Sequence, residues 1–597
     1  MKVVGGIELK QQNIMNENHA SNLSHSPSTI RRQGGWRAIR YILANETFEK
    51  LASMGLIANL VVYMHTQYNI ETTTSAQVFT IWSGFTNFLP LVGAYVADAY
   101  VGKYNTLLFS SISSFLGMGF IALGAGVPSL RPPSCPTNSD CIPPTGGQLA
   151  ILYTGLALFA IGSGGLRPCN IAFGADQVDV TTETGKSQLE SFLNWWYFLF
   201  TIALLFALTV VVYIQTSVSW FVGFIIPTAC FACSLTIFIL GSNTYIRTKP
   251  KGSVISDLVK VIVVANRKRQ VDIKKDSELS FYDPPLDYGL DPNILKLPHT
   301  NRLRFFDKAA VITDQSVNVK SVNNWRLCSV QQVEELKSVL STLPVWFAGI
   351  VCFLAMTQTN SFGILQALQI NKTIGPKFSV PPAWVGLVPM ISLSIWILVY
   401  EKIVVPLKGR RNENRSRLSM ELRLLIGVLL SIVCMVVSGL VEAHRRAAAL
   451  KHGSIESPIK IWWLIPQFAL SGLIEAFAAV MMMELLTSYW PPSMKTLGGA
   501  VFFLSLAICN YFNSILIEII RATTGKNGSP PWLGGNDLNK NRLDYYYYTI
   551  AVFAGLNLVY YLFIARHYLK IELLQRSSNK VQPEDDQMGN SDTTAHT

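Results

Sequence analysis

Apolar runs long enough to cross a membrane recur along the chain, separated by polar stretches of which one, about 244–336, is long. They fall at roughly 44–65, 77–97, 106–128, 148–170, 191–215 and 219–241, and again at 340–365, 383–404, 420–441, 461–486, 497–519 and 547–567. A helix needs roughly 20 mostly apolar residues to span hydrocarbon. Within lipid a chain must satisfy its backbone hydrogen bonds internally, which favours helices. The pattern predicts an all-α polytopic membrane protein with 12 transmembrane helices in two six-helix bundles. The expected division is a tail at 1–40, a bundle at 41–243, a polar connector at 244–337, a second bundle at 338–569 and a tail at 570–597.

Composition sharpens this. Half of the residues are hydrophobic and only 14% are charged, against about 25% in globular proteins. Mean hydropathy is +0.31. The formal charge is 49 − 37 = +12. The basic residues cluster in loops beside the spans, so they set topology rather than bind nucleic acid. An even number of spans puts both termini on one side. Arg31, Arg32, Arg37 and Arg40, together with the basic 405–418 loop, predict that this side is the cytoplasm. Arg445, Arg446, Lys451 and Lys540 fall in expected outward loops and depart from the rule. The first 35 residues are polar, so the first span is expected to act as the targeting signal, and the plasma membrane is the expected location. Membrane lipid is thus a partner and nucleic acid is not.

Chemistry is sparse. The eight histidines lie in tails, loops or span ends, so a proton relay would have to use carboxylates. Glu46-Thr-Phe-Glu-Lys50 heads the first span. On a helix Glu46 and Glu49 are i, i+3, and Glu46 and Lys50 are i, i+4. Two close carboxylates resist ionising together, while the lysine favours their charge. Such a group can exchange a proton, although acids at a helix start also serve simple capping. Glu475 and Glu484 are the other main candidates inside spans, while Glu401, Glu421 and Glu518 sit near span ends and read as interfacial. A lone buried Glu475 requires a cation, and Arg167, in Gly162-Ser-Gly-Gly-Leu-Arg-Pro-Cys169, is the expected one. The glycines there suit close helix approach or local unwinding. A planar guanidinium also suits planar anions such as nitrate or carboxylate. Tyr197 and Thr201 with Asn194, and Gln358 and Asn360 with Thr359 and Ser361, offer hydrogen bonds to an anion, or simply helix–helix polar contacts.

Other chemistries are excluded or left open. Gly185-Lys186-Ser187 lacks the earlier glycine of a P-loop, because Val180 stands there. No triad or metal-ligand pattern appears, so neither an enzyme nor a cofactor is expected. Cys230 and Cys233 lie in an apolar run and read as small packing residues. Cys135 and Cys141 lie in a loop where a disulfide is possible. Asn371 and Asn527 fit glycosylation sequons.

Several motifs together resemble a known family. Glu46-Thr-Phe-Glu-Lys50 resembles the E-x-x-E-[K/R] motif of proton-coupled oligopeptide transporters. Phe173-Gly-Ala-Asp-Gln177, Phe306-Asp-Lys-Ala-Ala310, Trp325-Arg-Leu-Cys328, Val333-Glu-Glu-Leu-Lys337, Leu343-Pro-Val-Trp346 and Ile465-Pro-Gln467 are similar to its plant nitrate transporter 1/peptide transporter branch. The texture is most similar to the second plant subfamily, especially its nitrate-excretion group. Asp98-Ala-Tyr-Val-Gly-Lys103 resembles the loop signature of the major facilitator superfamily.

The resemblance implies a major-facilitator fold, alternating access and proton symport. It implies proton coupling at Glu46, Glu49 and Lys50, and substrate contact at Glu475 and at Arg167, where many relatives have lysine. A fifth-helix Asn-x-Gly common in the family is replaced by Thr201-x-Ala203, which weakens a peptide reading. Thr106 matches a loop threonine phosphorylated in some relatives, although a plain loop threonine is the simpler reading. Three functions compete: a proton-linked carrier of nitrate or a related small anion, a carrier of larger organic anions such as glucosinolates or of peptides, and a nutrient receptor signalling through the connector or Thr106.

Overall fold

In the computed structural model, residues 34–570 are described except 134–141, 179–181, 248–249, 251, 253, 271–279, 285–296, 298, 313–324, 375–377, 405, 408–417, 489, 491–493 and 526–530. The sites at Cys135, Cys141 and Asn527 therefore lie outside the described residues.

Long helices dominate. Before the connector they are α1 (Gly35–Gln67), α2 (Thr72–Val96), α3 (Lys103–Gly126), α4 (Gly146–Ala175), α5 (Glu183–Phe206) and α6 (Trp220–Leu240). The connector carries α7 (Val254–Arg267). After it come α8 (Val330–Gln358), α9 (Leu387–Val399), α10 (Met420–His452), α11 (Ile465–Ile474), α12 (Lys495–Thr524) and α13 (Leu543–Tyr560). Sequence marks several of the starts. Thr145 with Gln148 forms a capping box on α4, and Ser329 with Gln332 does the same on α8. Gly102 turns the chain between α2 and α3 with φ at +82°, a region that glycine enters without a Cβ penalty.

Among the described residues, ten helical stretches are long and apolar enough to cross a membrane. The expected twelve spans include two that fall short of this measure. α1 and α2 have 33 and 25 residues, but α1 carries the Glu46–Lys50 charges and α2 is studded with Thr, Ser, Gln and Asn. Their polar side chains are turned inward: Asn45, Glu46, Glu49, Asn59, Thr72, Thr73, Thr80, Thr86 and Asn87 are all buried. Hydropathy is low where a helix presents chemistry to the protein interior.

Several helix ends differ from the expected ones. α10 continues to His452, so Arg445, Arg446 and Lys451 lie on a helix rather than in an outward loop, and Arg445 is fully buried. Five-residue π turns interrupt the long helices at Thr359–Gly363 and Glu475–Ala479. The connector is partly built: α7 packs Val261, Val264 and Ala265 against Ala309, Ala310, Cys328, Val333 and Leu336.

α1 packs on α6, α3 on α4, and α2 on α4. After the connector α10 packs on α13, α9 on α11, and α8 on α12. α2 also lies along α12, joining the two halves.

Candidate functional site

The site starts from one turn of α1. Glu46 and Glu49 are each 3% exposed. Lys50 Nζ lies 3.4 Å from Glu46 Oε1 and 2.8 Å from Glu49 Oε2. Ser53 Oγ donates to Glu49 Oε1 at 2.7 Å. Asn170 Nδ2, on α4, donates to Glu46 Oε2. The helical spacing read from the sequence thus brings the three ionisable groups into direct contact. Burying two carboxylates is costly unless charge and hydrogen bonds compensate; Lys50, Ser53 and Asn170 provide both.

α4 carries the second part. Arg167 is three residues before Asn170 and so shares its face. Asn170 ties that face to Glu46, so Arg167 lies on the side of α4 that meets the carboxylate turn. Its Nη1 donates to Asn87 Oδ1 on α2 at 2.7 Å. Its Cζ lies 5.6 Å from the ring centre of Phe503 on α12, within the range of a cation–π contact. A guanidinium therefore sits at the seam between the halves, beside the carboxylate turn. The glycines beside it act by close approach, not by unwinding, since α4 runs unbroken. A Cβ on Gly93 would come within 2.1 Å of the Gly164 carbonyl oxygen, and one on Gly162 within 2.0 Å of Ser114 Oγ.

Glu475 corrects an expectation. It begins the π turn of the α11 rod, is partly buried, and forms no ion pair among the described residues. Arg167 is engaged by Asn87 and Phe503 instead. The expectation failed because burial of one acid and one base on separate helices does not place them together. Glu484 does have a cation, Arg423, at 2.5 Å.

The other expected ligand groups scatter. Gln358 is fully buried and donates to Asn513 Oδ1 at 2.5 Å, an acceptor shared with the Tyr546 hydroxyl at 2.6 Å. It is thus committed to a helix–helix contact. Thr359 bonds Ser471 across to α11 at 2.9 Å. Asn360, Asn194, Tyr197 and Thr201 are exposed, and Thr201 Oγ1 donates back to the Tyr197 carbonyl at 2.9 Å. None of these forms a hydrogen bond with Arg167 or Glu475 among the described residues. Thr106 is buried, with its hydroxyl donating to the Gly102 carbonyl at 3.0 Å. Thr106 thus lies in the first turn of α3 rather than in a loop, and Lys103, which begins that helix, pairs at 2.7 Å with Asp176, which follows α4.

Two ionic clusters were not read from the sequence as such. In the connector, Lys337 Nζ lies 2.6 Å from Asp307 Oδ1 and 2.7 Å from Glu334 Oε1. This joins the Phe306–Ala310 and Val333–Lys337 motifs. His299, Asp307 and Glu334 lie close enough together to suggest a metal site, but the Lys337 ammonium already lies between both acids and contacts each. On α10, Glu442 and Arg445 are fully buried and paired at 2.7 Å. Ending the span at 441 hid this pair, although an i, i+3 acid and base were visible in Glu442-Ala-His-Arg445.

A family profile described as PTR2, POT family, matches residues 104–533. The Arabidopsis thaliana protein NRT1/PTR family 2.8 is 50% identical over 554 residues, covering 91% of this chain and 98% of its own length. NRT1/PTR family 2.13 from the same plant is 39% identical, covering 90% of this chain and 87% of its own. Among solved structures, the POT family transporter PepTSo superposes with a TM-score of 0.63 at 20% identity, covering 89% of this chain and 98% of that one.

Proposed function

The chain belongs to the POT family of proton-coupled membrane transporters, and on that premise we propose that it carries nitrate or a related small anion by alternating access. It is a multi-pass membrane protein with a major-facilitator fold, and its family consists of transporters, not enzymes. The buried Glu46–Glu49–Lys50 turn, tied to α4 through Asn170 and lying beside Arg167, is the observation that supports the reading.

In this reading the anion meets Arg167, the half-buried cation at the seam of the two halves. The proton enters the carboxylate turn. Protonating Glu49 removes the charge opposite Lys50 at 2.8 Å. Protonating Glu46 weakens both its Lys50 contact and its acceptance of the Asn170 amide. The first event frees Lys50 within α1 and the second loosens α1 from α4, and so the bond network depends on whether the carrier is loaded. Such a difference is what a population shift requires. Glu475 is partly buried and forms no ion pair among the described residues; nitrate carries no cationic or donor group for it to bind, so substrate contact at Glu475 belongs to the larger-substrate reading. Both termini and the connector face the cytoplasm, and the loops after α1 and α12 face outward.

Flux measurements in oocytes test the substrate. Labelled nitrate, a dipeptide and a glucosinolate are offered at acidic and at neutral external pH, with uptake and efflux both followed. The proposal expects nitrate flux that the other two do not match. Flux of the dipeptide or the glucosinolate without nitrate flux would replace it with the larger-substrate reading.

A further inference from the structure

The loop after α12 is held from both sides. Its described part, 531–541, is fixed to the second half by side chains rather than by its own secondary structure. Arg445 is the anchor. Its Nε and Nη2 bond Glu442 at 2.7 and 2.8 Å, and its Nη1 bonds Asn539 Oδ1 at 2.9 Å. Asn539 Nδ2 in turn donates to the Ile455 carbonyl at 2.9 Å. Glu442 also accepts from Gln366 at 2.7 Å. Both charged residues have no exposed side-chain surface.

The same loop hooks the first half. Glu71, which precedes α2, accepts the backbone N–H of Gly535 and lies 3.4 Å from Arg521 at the end of α12. Thr72 Oγ1 donates to the Asn536 carbonyl at 3.1 Å. That carbonyl also accepts Gln369 Nε2 from the second half at 3.1 Å. One acceptor is therefore shared between the two halves. The loop reaches it through Gly535 at φ +78°, where a side chain would be strained.

A buried ion pair is an expensive way to gain stability, because desolvation offsets much of the attraction. Here its geometry fixes the loop that the opposite half must grip. We infer that the 531–541 loop is the clasp of the outer gate, and that Glu442 and Arg445 are positioning residues for alternating access that touch no substrate. The carrier opens outward by releasing Glu71 and Thr72 while the loop stays on Arg445. The inference rests on the transporter reading only in requiring the halves to move, whatever the cargo.

The test measures that motion directly. Spin labels are placed through unnatural amino acids at Thr66 and Ala522, exposed positions at the outer ends of α1 and α12. Their distance distribution is recorded in lipid for the full chain, without substrate. Asn539→Ala and Glu71→Ala should each raise the long-distance population about fivefold, the scale of one or two lost hydrogen bonds. The double variant should show no more than the larger single effect, because either change opens the same clasp. Glu71→Ala leaves the Arg445 network intact, so it carries the test if Asn539→Ala fails to fold. An unchanged distribution in Glu71→Ala, or effects that multiply in the double variant, would overturn the clasp. Neither outcome bears on nitrate flux, so the two proposals fail separately.

Discussion

Glu46 and Glu49 are one turn apart, yet they are held differently. Glu46 reaches across to Asn170 on another helix, whereas Glu49 keeps to Ser53 and Lys50 on its own. Removing the charge at Glu49 should therefore uncouple flux from pH without undoing the link between α1 and α4. In Glu49→Gln the ratio of flux at acidic to neutral pH is expected to fall to about one; a ratio like that of the wild type, in protein that reaches the membrane, would remove Glu49 from coupling. Arg167 presents a planar fork that lysine does not reproduce. Arg167→Lys should raise the KM for the anion about tenfold, the scale of one charged hydrogen bond, measured by concentration-dependent uptake. In the connector, burial pushes the Cys328 thiol up to about 11. Below that value the group is a neutral thiol, and only the thiolate reacts. Cys328 should stay unmodified by a maleimide at neutral pH, read by mass spectrometry, until the protein is denatured. The residues of the α1 turn were legible because helical periodicity alone brings i, i+3 and i+4 together. Asn170, Asn87 and Phe503 were not, because they lie on three other helices and nothing in their local sequence marks them.

At the scale of elements, helix contacts depend on small residues and on ionic ties. α2 meets α4 so closely that Gly93 has no room for a side chain against the Gly164 carbonyl. Gly93→Val should force the helices apart and shift Asn87 away from Arg167. Overpacking costs roughly 1–3 kcal/mol or more, visible as a lower Tm, with anion affinity falling alongside it. In the connector Lys337 is 4% exposed between two acids. Lys337→Met removes the ammonium from between two buried acids, leaving, among the described residues, Glu334 with only Thr300 and Asp307 with only His299; breaking a buried pair costs about 3–5 kcal/mol, which should appear as a lower Tm. A Tm unchanged from wild type would show that the cluster contributes nothing to the fold. The sequence separated these motifs by a long polar stretch and gave no sign that they meet. The helix of the ninth span also runs past 441, because Glu442 and Arg445, charges that mark a boundary by hydropathy, neutralise each other inside the protein.

Across the whole molecule, the hydrophobic pattern determined the class, the order and the approximate length of the long helices, since lipid accepts little else. It also determined the carboxylate turn, whose geometry is local. Tertiary structure decided which charges meet. It gave Arg167 to Asn87 and Phe503 rather than to Glu475, committed Gln358 to Asn513, and turned the loop after α12 into a bridge between the halves. The physical reason is that hydropathy records the solvent each residue prefers, whereas a buried polar group is satisfied by one partner whose position depends on how every helix packs.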